Sequence, residues 1–581
     1  LLPGSRVALF GKAEQCQEGW KMNNPDLEIL LGEERPQAGI LPLYPLSKGL
    51  TQKFLRKLTR DLFDSLLAGK LLTETLPERI LVACELVGLA KTVEWLHYPK
   101  DENSWKAAMK RAVFEEFFCL QVKFKKARRE LAEQGKAPII RRGDLTNRFL
   151  VKKLPYQLTL SQRNAVREIW GDLEREIPMR RLLHGEVGSG KTVVALGAAV
   201  AAAESGQQVA FLVPTEVLAR QHYTRTSELL AGLGIACGIL AGSNGNSGGW
   251  KAKGTPGNGK PGIYFGTHAL FQPKVGWKRL GLVIVDEQHR FGVAQKAALL
   301  AKGKAPHLLV MSATPIPRTL TLTAYGELDV TKLEGPLPGR KKARTFLLGK
   351  ENLGKLMERV GREVSSGGQV LWVCPQLEEQ GPETGKSVFS RLQEIREALP
   401  ELSAGVVHGQ MPSSEKLEAM QMFERGKLGI LVATTVVEVG IDVPGATMII
   451  VEDAERFGLS QLHQLRGRVG RGEREGICVL FSSPGNMESL ERLKLMTRTD
   501  DGLAVAEADL LFRGPGALCG FRQHGVTEFR VGDLRRDRNL LEMAREEVRK
   551  LGENDPLLKA SFFFSFEDEC REEMNVGPVM G

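Results

Sequence analysis

The stretch His184-Gly185-Glu186-Val187-Gly188-Ser189-Gly190-Lys191-Thr192 decides the fold of this chain. It fits the pattern G-x-x-x-x-G-K-[ST], in which a glycine-rich turn lets backbone N–H groups surround phosphate oxygens. Lys191 is expected to bring its charge to the β- and γ-phosphates, and the Thr192 hydroxyl is placed to bind Mg²⁺. The apolar run at 193–203 predicts a buried helix whose positive end faces those phosphates. A turn that only caps a helix is the alternative, but the joint placement of Gly, Lys and Thr favours a nucleotide-binding loop.

The composition is that of a globular protein with several domains. The chain has 581 residues, of which 42% are hydrophobic and 26% charged, a length that suits roughly three to four domains. The net charge of +10 permits a polyanionic partner without requiring one. The eight cysteines are scattered, which disfavours a zinc site or a disulfide framework and favours a reducing compartment. No apolar run reaches the roughly 18 residues of a membrane span. Because the chain starts at Leu1 rather than Met, an amino-terminal part is expected to be missing.

Short apolar runs that end in polar residues recur through the middle of the chain. Such runs are typical of parallel sheets, which are buried on both faces and carry their ligands at the carboxyl edge. In the first half the predicted strands are 209–214, 263–265, 282–285 and 308–311. In the second half they are 370–375, 404–409, 430–435 and 448–451. The predicted fold class is therefore α/β, with two parallel-sheet lobes.

Two adjacent carboxylates, Asp286 and Glu287, follow the apolar run 282–285. At the end of a strand beside a phosphate-binding loop, Asp286 can hold Mg²⁺ and Glu287 can accept a proton from the attacking water. Two solvated acids at a strand end are the alternative reading, which the preceding loop disfavours.

The second half of the chain has no phosphate-binding loop of its own. It is expected to contribute to a shared site through Gly440 and Asp442, and through the run 464–471. Arg468 and Arg471 share a face of a predicted helix, so they could reach a γ-phosphate as arginine fingers. Ordinary solvated charge is the alternative.

Gln162 has two competing interpretations. Thr159-x-x-Gln162 is a capping box, which explains both residues without a ligand. In a nucleotide motor, the same amide would bind the adenine edge.

The remaining segments are read from their periodicity. Residues 1–33 contain three predicted strands of a small β-domain, and helical periodicity runs from about Thr51 to Leu131. The basic residues at 123–129 are read mainly as a solvated helix end, with a DNA-facing surface as the minority view. The segment 242–262, rich in Gly, Asn, Ser and Lys, predicts a mobile surface insertion.

Together these blocks resemble the superfamily 2 helicases, and within them the RecG family of branched-DNA translocases. The resemblance covers nearly the whole chain. Its motifs are 185–192, Asp286-Glu287-Gln288-His289-Arg290-Phe291-Gly292-Val293, Ser312-Ala313-Thr314-Pro315-Ile316-Pro317-Arg318-Thr319, 434–444, 464–472, 501–510, 513–516 and 522–523. The last three blocks look like the translocation motif that this family shares with the repair translocase Mfd.

The resemblance implies two RecA-like lobes, preceded by a partial OB-fold wedge and a helical linker. The implied boundaries are 1–33 for the wedge, 34–153 for the linker, 154–338 and 339–482 for the lobes, and 483–581 for the translocation motif and carboxyl-terminal region. On this reading residues 1–33 correspond to the carboxyl end of the wedge and its early strands are expected to be missing from this sequence, so junction splitting is not carried over. The family's charged helical segment is replaced by the glycine-rich insertion, so no DNA contact is carried over there.

The resemblance also implies activity and partners. The activity is ATP- and Mg²⁺-dependent translocation on duplex DNA with 3′–5′ polarity, acting on stalled forks, Holliday junctions and R-loops in recombination and repair. A monomer in the bacterial cytoplasm is implied, with a single-stranded-DNA-binding protein as a candidate partner. The residues implied to contact DNA or to couple the lobes are Thr215, Arg220, Thr267, His268, Thr434, Gln464, Arg513 and Gln523.

Two alternatives remain at this point. An Mfd-like translocase is disfavoured because no damage-recognition or polymerase-binding region is visible. A non-hydrolysing, nucleotide-gated DNA-binding protein is disfavoured because binding alone needs neither Glu287 as a base nor Arg468 and Arg471 as fingers.

Overall fold

The computed structural model describes most of the chain. The described residues are 6–16, 19–22, 25–30, 40–47, 49–69, 71–133, 135–240, 256–287, 291–313, 328–335, 343–375, 387–434, 445–470, 474–483, 485–513 and 529–554. The chain divides into two compact units, residues 1–122 with 529–581, and residues 123–528. No described helix is long and apolar enough to cross a bilayer.

The first unit combines short antiparallel strand pairs with helices. The strands are β1 (Arg6–Phe10), β2 (Ala13–Cys16), β3 (Gly19–Met22) and β4 (Asp26–Leu30), of which β1 pairs with β4 and β2 with β3. The predicted β-segment is thus confirmed, with β2 as a strand that the sequence reading did not contain. The helices are α1 (Gln52–Ala68), α2 (Glu78–Ala83), α3 (Leu89–His97) and the first part of α4 (Glu102–Glu133), which confirm the predicted helical stretch.

Helix α4 buries an aromatic stripe in this unit because its phenylalanines recur at three- and four-residue spacing. Phe114, Phe117 and Phe118 are fully buried. The ring of Phe117 meets Phe529 edge-on at 5.2 Å between centroids. The carboxylate of Glu116 accepts hydrogen bonds from the backbone N–H groups of Arg530, Val531 and Gly532 at 2.6, 3.2 and 2.8 Å. The segment after residue 528 is therefore held on α4.

The first lobe of the second unit is a seven-stranded parallel sheet. Its order is β11-β5-β10-β9-β6-β8-β7. The strands are β5 (Arg180–Gly185), β6 (Gln208–Leu212), β7 (Ala236–Leu240), β8 (Gly262–Gly266), β9 (Leu280–Asp286), β10 (His307–Ser312) and β11 (Asp329–Leu333). The helices before and between them are α5 (Asp144–Arg148), a π-helix at Phe149–Lys153, α6 (Leu160–Leu173), α7 (Lys191–Glu204), α8 (Glu216–Leu229) and α9 (Val293–Leu300).

The second lobe is a six-stranded parallel sheet of order β12-β17-β16-β13-β15-β14. The strands are β12 (Arg344–Leu348), β13 (Gln369–Val373), β14 (Ala404–Val407), β15 (Ile430–Ala433), β16 (Ala446–Glu452) and β17 (Ile477–Phe481). Its helices are α10 (Leu353–Ser365), α11 (Val388–Ala398), α12 (Ser413–Glu424), α13 (Leu459–Arg466), α14 (Met487–Arg498) and α15 (Gly502–Arg513). Helix α16 (Arg538–Asn554) belongs to the first unit.

Burial of the central strands on both faces explains why they read as continuous apolar runs. Every residue of β6 and β13 is buried. Helix α7 lies against the first sheet with nearly all of its small residues buried, because alanines allow a helix to approach a sheet closely. The predicted α/β class with two parallel-sheet lobes is confirmed.

The predicted insertion at 242–262 is only partly within the described residues. From Pro256 onward the backbone is anchored: Pro256 is buried and its carbonyl accepts a hydrogen bond of 2.6 Å from the amide of Gln208. Gly262 already begins strand β8. The end of the segment is thus part of the lobe rather than a free surface loop.

Candidate nucleotide site

The phosphate-binding loop joins β5 to α7 and depends on its glycines. Gly188 and Gly190 have φ of 80° and 85°, in the left-handed region that favours glycine. A Cβ atom on Gly190 would lie 2.2 Å from Nε2 of Gln162, and one on Gly185 would lie 2.6 Å from Oγ of Ser189. The loop therefore has no room for side chains on its inner surface.

Lys191 and Thr192 are the first two residues of α7. The Lys191 ammonium donates hydrogen bonds of 2.7 and 2.9 Å to the carbonyls of Gly185 and Glu186. Lys191 is buried, whereas Thr192 is partly exposed. The lysine charge is thus held over its own loop, at the helix end where a phosphate would bind.

Asp286 ends β9, on the same sheet edge as the loop. Burial raises the pKa of its carboxyl, while Lys191, the Glu287 backbone N–H and Arg468 act in the opposite direction. The neighbouring Glu287 has φ of 50°, a left-handed conformation that costs a non-glycine residue free energy. Its N–H donates to Oδ1 of Asp286 at 3.1 Å. Asp286 therefore lies within reach of the Lys191 charge, with Glu287 directly beside it.

Arg468 is the second lobe's contribution to this site. Its charge acts on the Asp286 carboxyl of the first lobe, and its side chain is nearly buried. The preceding Gly467 lies against the loop, since a Cβ there would be 3.1 Å from Cβ of Val187. Arg471, Gly440 and Asp442, the other predicted contributors from this lobe, lie outside the described residues.

Arg466 is the last residue of α13. It is 5% exposed and donates from Nη1 to the carbonyls of Met496 and Thr499 at 3.0 and 2.8 Å. Burial is also the main reason that its pKa lies below the ordinary value. These hydrogen bonds of Arg466 hold the end of α13 against α14. Gln464, on the same helix, is buried as well.

A cavity of about 480 Å³ opens between the two lobes beside the loop. Its walls include Glu186 and Val187 from the first lobe, and Gly467 and Asp501 from the second half of the chain. Among the described residues no cluster of three or more His, Cys, Asp and Glu side chains could hold a metal ion by itself.

Gln162 occupies the capping role. Its side-chain oxygen accepts from the Thr159 N–H at 2.9 Å, and its own N–H donates to the Thr159 hydroxyl at 3.2 Å. Its Nε2 donates to the carbonyl of Ser189 at 2.9 Å. Both ends of this buried amide are engaged, so an adenine would have to share the amide with these partners or displace them.

His222 is a neighbour of the site that the sequence did not mark as such. Its Nε2 lies 3.8 Å from Oδ2 of Asp286, and its ring stacks on Phe265 with an interplanar angle of 4°. Burial and the Arg225 charge lower its pKa to about 4, so the imidazole is neutral at pH 7. A histidine inside a helix gives no sequence signal for such a contact.

Three threonines that are expected to contact DNA follow strands of the two sheets. Thr267 and Thr434 directly follow β8 and β15, and Thr215 follows β6 and caps α8 by accepting from the Leu218 N–H at 3.3 Å. Thr267 and Thr434 are buried, whereas His268 is exposed and Arg220 is partly buried. Arg513 ends α15, and Gln523 lies outside the described residues.

Two RecA-like lobes, with a phosphate-binding loop and an acid pair on one and an arginine reaching from the other, define a superfamily 2 helicase core. Comparison with protein families agrees. A DEAD/DEAH box helicase model matches residues 159–323, and a helicase conserved C-terminal domain model matches residues 351–473. Two further models, the RecG wedge domain and the C-terminal part of domain 3 of ATP-dependent DNA helicase RecG, match residues 3–65 and 499–562. The chain belongs to the RecG family of ATP-dependent DNA helicases.

Individual relatives support this assignment. ATP-dependent DNA helicase RecG of Thermotoga maritima is 45% identical over 530 residues, which are 90% of this chain and 68% of the relative. RecG of Escherichia coli K12 is 38% identical over 571 residues, 96% of this chain and 82% of the relative. A solved structure of RecG bound to a three-way DNA junction matches with a TM-score of 0.63 and 39% identity, covering 93% of this chain and 71% of that one.

Proposed function

We propose that this chain couples Mg²⁺-dependent ATP hydrolysis to translocation on branched duplex DNA, including stalled forks, Holliday junctions and R-loops. The observation that carries the proposal is the convergence of Lys191, Asp286 and Arg468 at one site, since Arg468 comes from the other lobe. A site assembled from two lobes changes when the lobes move. ATP binding and hydrolysis can therefore drive a motion along DNA.

Each residue at the site has a chemical role in this proposal. Lys191 and the loop N–H groups bind the phosphates, and Glu287 accepts a proton from the attacking water. Arg468, with Arg471, stabilises the charge that develops on the transferred phosphoryl group. Thr192 and Asp286 fit a magnesium site, since a hydroxyl at a helix N-terminus and a partly buried carboxylate are oxygen ligands. Bound Mg²⁺ would neutralise charge on the phosphate oxygens.

The same scheme assigns the remaining residues. The nucleotide is held by the loop from Gly185 to Thr192, together with Gly440 and Asp442, and Gln162 contacts the adenine in competition with its present partners Thr159 and Ser189. The DNA track is formed by Thr215, Arg220, Thr267, His268, Thr434 and Gln464. Arg513 and Gln523 couple lobe motion to stepping. Such contacts bind mainly phosphates, so the affinity for DNA falls with salt and little base specificity is expected.

We further propose 3′–5′ polarity, a monomeric state and a bacterial cytoplasmic location. A single-stranded-DNA-binding protein is the candidate protein partner. These proposals rest on family membership.

The test measures ATPase rates with single-stranded, linear duplex, forked and four-way DNA. The rate is expected to rise most with branched DNA. Lys191→Ala is expected to abolish it, and Arg468→Ala to lower kcat on the order of 10³-fold. Arg359→Ala is the matched control, because Arg359 is a half-exposed arginine of the second lobe that pairs with Glu363 on its own helix. Undiminished hydrolysis by the Lys191 variant, or equal rates with linear and branched DNA, would overturn the proposal.

A further inference from the structure

Two segments of the chain, one in each lobe, repeat the same pattern. Residues 280–300 and 446–466 align without a gap, so that Asp286 corresponds to Glu452 and Glu287 to Asp453. Both segments contain Ile-Val before the acids, then Arg-Phe-Gly, then Gln. We call Glu452 and Asp453 the lobe 2 acid pair.

The backbone follows the same repeat. β9 and β16 each have seven residues, and the helices that follow, α9 and α13, each have eight. Glu287 and Asp453 have φ of 50° and 49°, although this left-handed conformation is uncommon for acidic residues. The chain therefore leaves both strands through a left-handed acidic residue at the same position of the repeat.

The helix starts are capped alike. The Gly292 N–H donates to Oε1 of Gln295 at 3.1 Å, and the Gly458 N–H donates to Oε1 of Gln461 at 3.0 Å. Each turn therefore fixes the direction of the helix that follows it.

The neighbouring strands correspond as well. β9 lies between β10 and β6, and β16 lies between β17 and β13. By this order β12 takes the place of β5, and the loop after β12 takes the place of the phosphate-binding loop. Lys350 lies in that loop.

The two acid pairs differ in what neutralises them. Arg391 of α11 donates to both carboxylate oxygens of Glu452, from Nε to Oε2 at 2.8 Å and from Nη2 to Oε1. Trp372 Nε1 also donates to Oε2, at 3.0 Å. Asp453 forms an ion pair with Lys350. The guanidinium of Arg391 also lies 5.0 Å over the Trp372 ring. His222 and Phe211 hold the corresponding places beside Asp286.

We propose that the lobe 2 acid pair, closed by Arg391 and Lys350, is a positioning device that aims Arg468 at the nucleotide site. The proposal rests on the proposed role of Arg468. The lobe 2 acid pair has the same backbone turn as Asp286 and Glu287 of the nucleotide site. Its positive partners, Arg391 and Lys350, are side chains of the protein. It therefore stays closed whether or not nucleotide is bound.

Helix α13 connects the lobe 2 acid pair to Arg468, and hydrogen bonds hold this helix at both of its ends. Asp453 sets the turn, Gly458 and Gln461 set the start of α13, and Arg466 pins the end of α13 to α14. Arg468 follows two residues after Arg466. A loosened turn at Asp453 would change the direction of α13, and with it the position of the arginine.

The test distinguishes a displaced Arg468 from a general loss of protein stability. It compares the binding of two ligands, ADP alone and ADP with aluminium fluoride, and the fluoride complex resembles the phosphoryl group during transfer. A displaced arginine weakens binding of the second ligand and leaves ADP binding nearly intact. Lys350→Ala is the principal variant because its side chain is 43% exposed and its loss leaves little buried space. Asp453→Asn is the second, because Asn tolerates the left-handed turn while losing the charge.

Both variants are expected to bind ADP–aluminium fluoride about tenfold more weakly and to lose about tenfold in kcat at unchanged KM for ATP, since the arginine is displaced rather than removed. Lys350→Arg is expected to restore most of both. Lys355→Ala, an exposed lysine of α10, is the control and should match the wild type.

Three outcomes overturn the inference: unchanged ADP–aluminium fluoride affinity in both variants, a lowered Tm with no change in that affinity, or equal weakening of both ligands. Arg468→Ala is measured alongside. If that variant also keeps full affinity, the assignment of Arg468 under the proposed function has failed. If it loses affinity while the Lys350 and Asp453 variants do not, only the positioning inference has failed.

Discussion

Gly190→Ala tests how tightly the phosphate-binding loop is bound to the rest of its lobe. The added Cβ would lie 2.2 Å from Nε2 of Gln162, and the backbone at Gly190 has φ of 85°. The left-handed conformation costs an alanine about 1–2 kcal/mol. Expelling the Gln162 amide leaves the Ser189 carbonyl without this buried donor, at about 1–3 kcal/mol.

The expected destabilisation of Gly190→Ala is therefore about 2–5 kcal/mol in the free energy of unfolding. Chemical denaturation followed by circular dichroism measures it, and nucleotide titration measures the accompanying loss of ATP affinity. Gly171→Ala is the control. Gly171 lies inside α6 with no atom within 4 Å of an added Cβ, so this variant should gain about 0.5–1 kcal/mol.

A double-mutant cycle isolates the clash from the backbone strain. Gln162→Ala removes the atom that the new Cβ would meet, so Gly190→Ala in that background should cost only the conformational part, about 1–2 kcal/mol. The two substitutions should thus be less than additive by about 1 kcal/mol or more. Strict additivity, or a Gly190 variant as stable as the wild type, would refute the reasoning about this contact.

Three further predictions concern other parts of the chain. Glu287→Gln and Glu287→Gly should both lose hydrolysis, but the Gly variant should be the more stable by about 1 kcal/mol, because glycine adopts the left-handed φ of 50° without strain; equal stabilities by denaturation would contradict this. His307 is fully buried, accepts from the Met179 N–H at 3.0 Å and donates to the Pro138 carbonyl at 2.8 Å, and burial lowers its pKa. Because the unfolded state binds the proton more readily, the contribution of His307 to stability is present above pH ~6.5 and is lost as the pH falls. The Tm of His307→Gln should therefore decline less steeply with falling pH than the Tm of the wild type. Parallel profiles of Tm against pH would contradict this prediction. Glu116→Gln should loosen the 530–532 backbone by about 1–2 kcal/mol, because a neutral amide accepts more weakly than a carboxylate; hydrogen exchange at those amides should speed up, with Glu130→Gln, an exposed acid of the same helix, as the control.

The sequence predicted the parts of the structure whose chemistry restricts both residue type and spacing. The loop at 185–192 and the acids at 286 and 287 are recognisable because phosphate and magnesium accept few alternatives. The central strands are recognisable because burial on both faces excludes polar residues. Five strands of the two sheets, β5, β7, β11, β12 and β17, were not among the predicted ones. β11 and β12 lie at sheet edges and mix charged with apolar residues, so their burial is only partial.

Contacts that depend on tertiary structure were not predictable. Lys350 and Arg391 lie far from the lobe 2 acid pair in sequence, and only the sheet order brings them to Glu452 and Asp453. Gln162 carried two valid interpretations, and only the position of Ser189 shows that its amide is occupied. His222 reaches Asp286 because α8 packs against β7 and β8 and brings its ring over Phe211 and Phe265, an arrangement that no local pattern records.

The two hydrogen bonds of Lys191 to its own loop make nucleotide binding an exchange. The ammonium already donates to the carbonyls of Gly185 and Glu186, so an incoming polyphosphate competes with these acceptors for its N–H groups. We therefore expect the loop to bind ligands with several linked phosphates in preference to a single phosphate. A ligand with several linked phosphates supplies replacement acceptors together, whereas a single phosphate competes poorly with carbonyls that are permanently at hand. After hydrolysis the same carbonyls compete with the departing phosphate for the Lys191 ammonium, which favours release of that phosphate.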